Sequence, residues 1–97
     1  MVAGPSLRPE SVIARSDRAV HGELPEETVL VDLQTGRSLR LNSTGAWIWK
    51  RLERPAPVGE LADELAETFG IDPDRASEDV RRFAGDLAGR GLLEVTG

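Results

Sequence analysis

The stretch that most restricts the fold is TVLVDLQTGRSLRLN, from Thr28 to Asn42, where two alternating runs flank a short turn. Alternation is typical of a half-buried strand, because successive side chains point to opposite faces of a sheet. Gly36 can supply the positive φ that a tight turn requires. The pattern therefore predicts a β-hairpin whose second strand turns Leu39 and Leu41 toward a core and Arg40 to the opposite face.

Helix signals follow the hairpin in series. Side chains of the Asn-Ser-Thr cluster at 42–44 can satisfy the free N–H groups of a helix that runs to about Glu53. The segment RPAP then interrupts it. Apolar residues recur at helical spacing over 58–69, and Gly70 provides a C-terminal stop.

A third helix is predicted in IDPDRASEDVRRFAGDLAGRG. Asp72 is a suitable N-cap, and Pro73 suits the first helical position. An apolar stripe follows until Gly89 and Gly91 end the helix. The segment LLEV after it is either a short closing strand or an extended tail.

The N-terminal third carries weaker signals. SVIARSD, at 11–17, is a candidate strand, whereas turn-forming and charged residues in HGELPEE, at 21–27, predict a loop. Two prolines, a glycine and no apolar periodicity predict a mobile tail over 1–10. The order of elements predicts an α+β, winged-helix-like domain, with an N-terminal three-stranded antiparallel sheet followed by three helices.

The residue inventory argues against catalysis. The 97 residues include no cysteine, which excludes disulfides, thiolate metal sites and cysteine nucleophiles. His21 is the one histidine, and a solvated position explains it. The carboxylates of the second helix lie along its polar side, and no glycine-rich phosphate loop is present. We therefore predict a binding module that is not an enzyme and uses no metal or cofactor.

The charge pattern bears on nucleic acids and membranes. The formal net charge is -5, and the third helix carries five acidic and four basic residues, a local charge of -1. A recognition helix for DNA is normally basic. A winged-helix DNA-binding domain is therefore the alternative from a different class, and no nucleic acid is the expectation. No apolar run approaches a membrane span, and no secretory signal is evident, which predicts a cytoplasmic protein without a membrane partner.

The last strand of the predicted sheet, about 37–42, has a free edge if the strands form a meander in chain order. Its unpaired N–H and C=O groups can pair with another chain, and only Arg37 and Arg40 guard it. A peptide that adds there as a further strand gains main-chain hydrogen bonds, and side-chain pockets give specificity. A solvated edge, or one covered by the N-terminal tail, is the alternative.

Two segments, VLVDLQTGRSLRLNSTGAWIWKRL and VGELADELAETFGIDPDRASEDVRRFAGDLAGRGLLE, resemble the PqqD-like family of precursor-peptide recognition elements. The shared pattern is a hydrophobic strand, an acidic residue, a turn, a strand ending in LN, a TG…IW helix, a V-x-E-L helix and a last helix that runs into GLL. It spans about Val12 to Val95, so 11–95 is expected to be one domain. The resemblance implies a non-catalytic adaptor that binds the leader of a ribosomally made precursor peptide by strand addition and presents it to a modifying enzyme.

Within that family, the hairpin and tryptophan segment looks most like the stand-alone B1 proteins of lasso-peptide biosynthesis. That branch implies a separate, transglutaminase-like leader peptidase as partner, and a cyclase. The alternative branch is a PqqD-type chaperone that delivers its peptide to a radical-SAM enzyme.

The resemblance also implies a binding site. Arg40, Arg82 and Asp79 would pair with charges on the leader, whereas Val80, Phe83 and Leu87 are alternatively core residues, Leu87 above all. The pairing strand would be Ser38, Leu39, Arg40 and Leu41, and the opposite wall Asp79, Val80, Arg82, Phe83 and Leu87.

The two tryptophans of LNSTGAWIWKRL cannot share one face of a helix. At about 100° per residue, Trp47 and Trp49 lie about 200° apart. One must therefore anchor the core while the other lies nearer the surface. The family pattern implies that Trp49 is the anchor, and Trp47 is then a candidate contact for a partner.

Overall fold

The hairpin is the centre of one of two small antiparallel sheets that pack with three helices. The structure, a computed structural model, describes residues 7–97. In chain order, the elements are β1 (Val12–Arg15), β2 (Ala19–Leu24), β3 (Glu27–Asp32), β4 (Ser38–Leu41), α1 (Ser43–Arg51), β5 (Ala56–Pro57), α2 (Val58–Phe69), α3 (Pro73–Gly89) and β6 (Leu93–Thr96). The predicted α+β class, with a three-stranded antiparallel sheet ahead of three helices, is confirmed.

The first sheet has the strand order β2–β3–β4, which makes β4 an edge strand as predicted. Gly36 takes a φ of 76° in the turn before β4. Leu30 lies opposite Leu39 on the face that contacts the core, and Arg40 lies opposite Val29 on the outer face. The register therefore turns the side chains of β4 as the alternation predicted.

The strand at the other edge of this sheet, β2, was not predicted. The segment predicted as a loop over 21–27 contributes most of β2, and the turn is confined to Pro25 and Glu26. From Val20 to Leu24 every residue of β2 is exposed, so the strand lacks the apolar alternation by which a strand is recognised. Its main-chain pairing with β3 forms the strand instead.

β1 does not join the hairpin. It lies between β5 and β6 in a second sheet, where Ile13 pairs with Ala56 on one side and Val95 on the other. LLEV is thus a closing strand and not an extended tail. Both neighbours of β1 come from distant parts of the chain, which is why its pairing was not evident locally.

The helices begin and end close to the predicted residues. The side chain of Asn42 accepts a hydrogen bond from the Gly45 N–H at the start of α1, and Asp72 accepts one from the Asp74 N–H at the start of α3. Gly70 ends α2 with a φ of 64°. α1 ends at Arg51, two residues before the predicted limit.

The predicted tail, 1–10, is partly in the described chain. Its residues 1–6 lie outside the described residues, and 7–10 lie beside the domain. The Pro9 carbonyl accepts a hydrogen bond from the Gly59 N–H at 2.8 Å, and Leu7 contacts the core. A Cβ at Gly59 would stand 3.2 Å from that carbonyl, so the glycine permits the close approach. Within 7–97, no helix is long and apolar enough to cross a membrane.

Trp49 occupies the centre of the core, with 0% of its surface exposed. The Arg15 guanidinium stacks 4.7 Å from the centre of its ring and donates to its carbonyl oxygen. The indole N–H donates to Nδ1 of the exposed His21 at 3.0 Å. Trp47 is half-buried and meets the Phe69 ring edge to face at 6.3 Å. The expectation of one core anchor and one tryptophan nearer the surface is confirmed.

We expect Trp49→Ala to lower the free energy of unfolding by about 3–5 kcal/mol, because it leaves a large cavity in the core. Trp47→Ala, the matched control, should cost less because Trp47 is only partly buried. Urea unfolding followed by circular dichroism measures both. Equal losses would contradict the assignment of Trp49 as the anchor.

Candidate functional site

Two cavities lie between the chain segments 37–48 and 75–92, and we refer to them together as the groove. At one end, the start of α1 faces α3 across a cavity of about 600 Å³, which we call the α1–α3 pocket. Its lining comprises Asn42, Thr44, Gly45, Ile48, Arg75, Asp79, Arg82, Phe83 and Asp86. At the other end, the start of β4 faces the end of α3, so β4 and α3 run in opposite directions along the groove.

Phe83 supplies the apolar surface of the α1–α3 pocket. Its ring is half-buried and lies against Gly45 of α1. A Cβ at Gly45 would stand 3.2 Å from Phe83 Cε1 and 3.1 Å from Asn42 Oδ1. Glycine at this position therefore lets the ring of one wall lie on the backbone of the other.

The charges of the pocket are balanced along α3. Asp79, whose side chain is 16% exposed, accepts from Arg75 at 3.4 Å and lies 3.6 Å from Arg82. Arg82 also lies 3.6 Å from Glu78. Such partly solvated pairs contribute little to folding stability. Their arginines can therefore exchange partners with a ligand at small cost.

The main chain of β4 presents hydrogen-bonding groups to the groove. The Asp32 N–H donates to the Arg37 carbonyl at 2.8 Å, which marks this pair as hydrogen-bonded. Bonded and non-bonded pairs alternate in an antiparallel ladder. Ser38 and Arg40 therefore point their N–H and C=O groups away from β3, toward the open edge.

The residues predicted from the family pattern fall into three groups in the structure. Those that line the groove are Ser38, Leu39, Asp79, Arg82 and Phe83. Leu41 is half-buried in β4, and the Arg40 side chain extends from the outer face, where it lies 3.3 Å from Glu27. Val80 and Leu87 are fully buried, which agrees with the alternative that they are core residues: both position α3 from the core.

Several lining residues were not predicted. Arg75 lies one helical turn before Asp79, so its place beside that residue follows from the spacing alone. Gly45 belongs to the STG segment, but only the fold reveals the ring packed against it. At the end of the groove near β4, only Ser38 and Leu39 were predicted, because the other lining residues come from parts of the chain far apart in the sequence.

That end is a cavity of about 280 Å³, which we call the arginine recess. Arg18 donates to Asp32 Oδ2 at 2.9 Å, and the Gln34 N–H donates to Oδ1 at 2.9 Å. The Arg18 guanidinium lies against Gly91, at the end of α3. The recess is lined by Arg18, Asp32, Thr35, Arg37, Ser38, Leu39, Arg90 and Leu92.

The Asp32 carboxylate makes the stability of this corner depend on pH. The hydrogen bond from Arg18, and then that from the Gln34 N–H, lower the pKa of Asp32 below its ordinary value. A carboxyl group whose pKa is lower in the folded state stabilises the fold above its unfolded pKa, and this contribution is lost as the pH falls through the folded pKa.

We therefore expect Asp32→Asn to be less stable than the wild type at about pH 7, with a difference that shrinks below about pH 4. Urea unfolding at both pH values measures it. Asp17→Asn, at an exposed turn residue, controls for the removal of one charge. A difference that stays constant or grows in acid would contradict a stabilising role of the carboxylate.

The chain matches the model of the family described as Coenzyme PQQ synthesis protein D (PqqD) over residues 27–93. Among solved structures, TbiB1 in complex with the TbiA(beta) leader peptide is 33% identical with a TM-score of 0.75, over 84% of this chain and 94% of that one. No curated protein matches the chain significantly.

Two further structures share the fold at lower identity. A lasso peptide synthetase B1 complexed with the leader peptide is 21% identical with a TM-score of 0.75, over 84% of this chain and 96% of that one. The PqqD truncation of Methylobacterium extorquens PqqCD, described as a stand-alone RiPP recognition element, is 19% identical with a TM-score of 0.78, over 92% of this chain and 95% of that one.

Proposed function

The chain belongs to the PqqD family, and on that premise we propose that it binds the leader segment of a ribosomally synthesised precursor peptide. The observation that carries the proposal is the open edge of β4, which faces α3 across the groove. A leader in extended conformation adds there as a fourth strand of the β2–β3–β4 sheet.

Two kinds of contact contribute to binding. Main-chain hydrogen bonds with Ser38 and Arg40 fix the register, but each gives only about 1 kcal/mol net, because water competes for the same groups. Burial of apolar leader side chains against Phe83 and Leu39 contributes more of the binding free energy. The leader must therefore carry apolar residues on the face that meets α3.

Two of the three similar structures are B1 proteins solved with a leader peptide, one of them a lasso peptide synthetase B1, and this favours the lasso-peptide branch. In this branch the chain is a non-catalytic adaptor that presents the leader to a separate, transglutaminase-like peptidase, with a cyclase in the same pathway. A radical-SAM partner is the alternative. The genes beside this one discriminate: a peptidase and an asparagine-synthetase-like cyclase support the first, and a radical-SAM enzyme supports the second.

A DNA-binding role is disfavoured by the charges on α3. Three of the four arginines of the helix and its C-cap, Arg75, Arg82 and Arg90, each lie within 4 Å of a carboxylate of α3, which leaves little positive charge for phosphates. Retardation of a DNA duplex that weakens steeply with added salt would instead support the winged-helix alternative.

The free edge can be tested through Arg40, whose side chain is 82% exposed. Arg40→Pro removes an N–H that points away from β3, so the ladder within the sheet stays intact. We expect affinity for the leader of the neighbouring precursor to fall about tenfold or more, since a hydrogen bond is lost and the ring occupies the space of the added strand.

Arg40→Ala, which keeps the N–H, is the matched control and should bind within about twofold of the wild type, since an exposed charge contributes little. Fluorescence anisotropy of the labelled leader measures each affinity, and circular dichroism checks the fold. Equal binding by Arg40→Pro and the wild type would exclude strand addition at β4.

The groove walls are tested by Leu39→Asp and Phe83→Asp. Each places a charge where apolar leader side chains would pack, and we expect a loss of affinity of at least about tenfold. Phe69→Asp is the control, because Phe69 is 37% exposed and lines neither cavity of the groove. Unchanged affinity in both groove variants would exclude this site.

A further inference from the structure

We propose that the arginine recess binds a carboxylate side chain of the bound leader, and so selects leaders with an acidic residue beside the start of β4. The inference rests on the proposed function, because the leader delivers the carboxylate. Three arginines and one aspartate line the recess, a net charge of +2 in a protein whose formal net charge is -5. The recess is therefore a positively charged site in a protein that is negatively charged overall.

Two of the arginines have donors available. Within residues 7–97, Arg37 forms no ion pair, and Arg90 uses only its Nε, toward Asp86 at 3.1 Å. The two terminal nitrogens of Arg90 are therefore open to a ligand. The planar guanidinium fork matches the two oxygens of a carboxylate, which makes such contacts both strong and directional.

Arg18 is already committed to the fold, through Asp32 and the contact with Gly91. Its Nε is the one buried side-chain donor in the described chain that lacks a hydrogen-bond partner. Asp32 offsets the charge of Arg18, so the net positive charge of the recess comes from Arg37 and Arg90, which make the direct contacts.

The recess lies where an added strand can reach it. Ser38 both exposes its main chain at the edge of β4 and lines the recess. Leu39 and Leu92 form apolar walls, which lower the local dielectric constant and strengthen a charge pair within. A leader residue opposite Leu39 points its side chain to the same face of the sheet as Leu39, and can therefore place it among the arginines without leaving the strand.

The opposite end of β4 has the opposite charge. A cavity beside Leu41 and Asn42 is lined by three glutamates and one lysine, a net charge of -2. A carboxylate is favoured at the start of β4 and disfavoured at its end, so the position of the acidic residue is specified along the strand.

Selection from a display library of random twelve-residue peptides, flanked at both ends by constant sequence, tests the inference on the full chain. Peptides enriched on the wild type should carry Asp or Glu at a fixed spacing from an apolar residue. On Arg37→Glu/Arg90→Glu, the same position should shift to Lys or Arg. Re-synthesised peptides with Glu changed to Gln there should bind the wild type about tenfold more weakly.

Arg54→Glu/Arg81→Glu is the matched control, because it changes the net charge equally at exposed arginines outside the groove. This variant should retain the acidic preference. If the wild type enriches no peptides, the proposed function fails. If it enriches apolar peptides without an acidic position that depends on Arg37 and Arg90, the proposed function stands and the carboxylate site is overturned.

Discussion

The packing of Trp49 joins the two halves of this domain. The two sheets share no strand, so each would be a marginal structure alone. Trp49 receives Arg15 from the second sheet on its ring and carbonyl, and its indole N–H reaches His21 in the first. One side chain of α1 thereby fixes both sheets against the helices. Because β4 belongs to the first sheet, this contact helps to hold its edge in place.

The sequence predicted those turns and helix ends that depend only on neighbouring residues. The hairpin turn at Gly36, the Asn42 and Asp72 caps and the Gly70 stop each depend on neighbouring residues, and all four were readable from the sequence. β2 was not predicted because nearly all its residues are exposed, so its sequence lacks the alternation of apolar and polar residues. The pairing of β1 escaped because both its partners lie far along the chain.

Part of the candidate site was likewise predictable from the sequence, and part depends on contacts that form only in the fold. An edge at β4 follows from strand order, and the family pattern added Phe83 and Arg82 on the facing helix. Val80 and Leu87 belong to the same helical pattern but point inward, and a pattern of apolar spacing cannot distinguish a groove wall from the core beneath it. The arginine recess was invisible, because Arg18, Arg37 and Arg90 meet only after folding.

The open edge of β4 is four residues long, with Arg40 on its outer face. Long, flat and apolar edges lead folded proteins to pair with one another and aggregate. A second copy of this domain that approached β4 would form few ladder bonds and would bring two sets of arginines together. A flexible, acidic peptide avoids that repulsion and can follow the groove beyond the strand. The short edge thus disfavours pairing between copies of the domain while it stays open to a ligand.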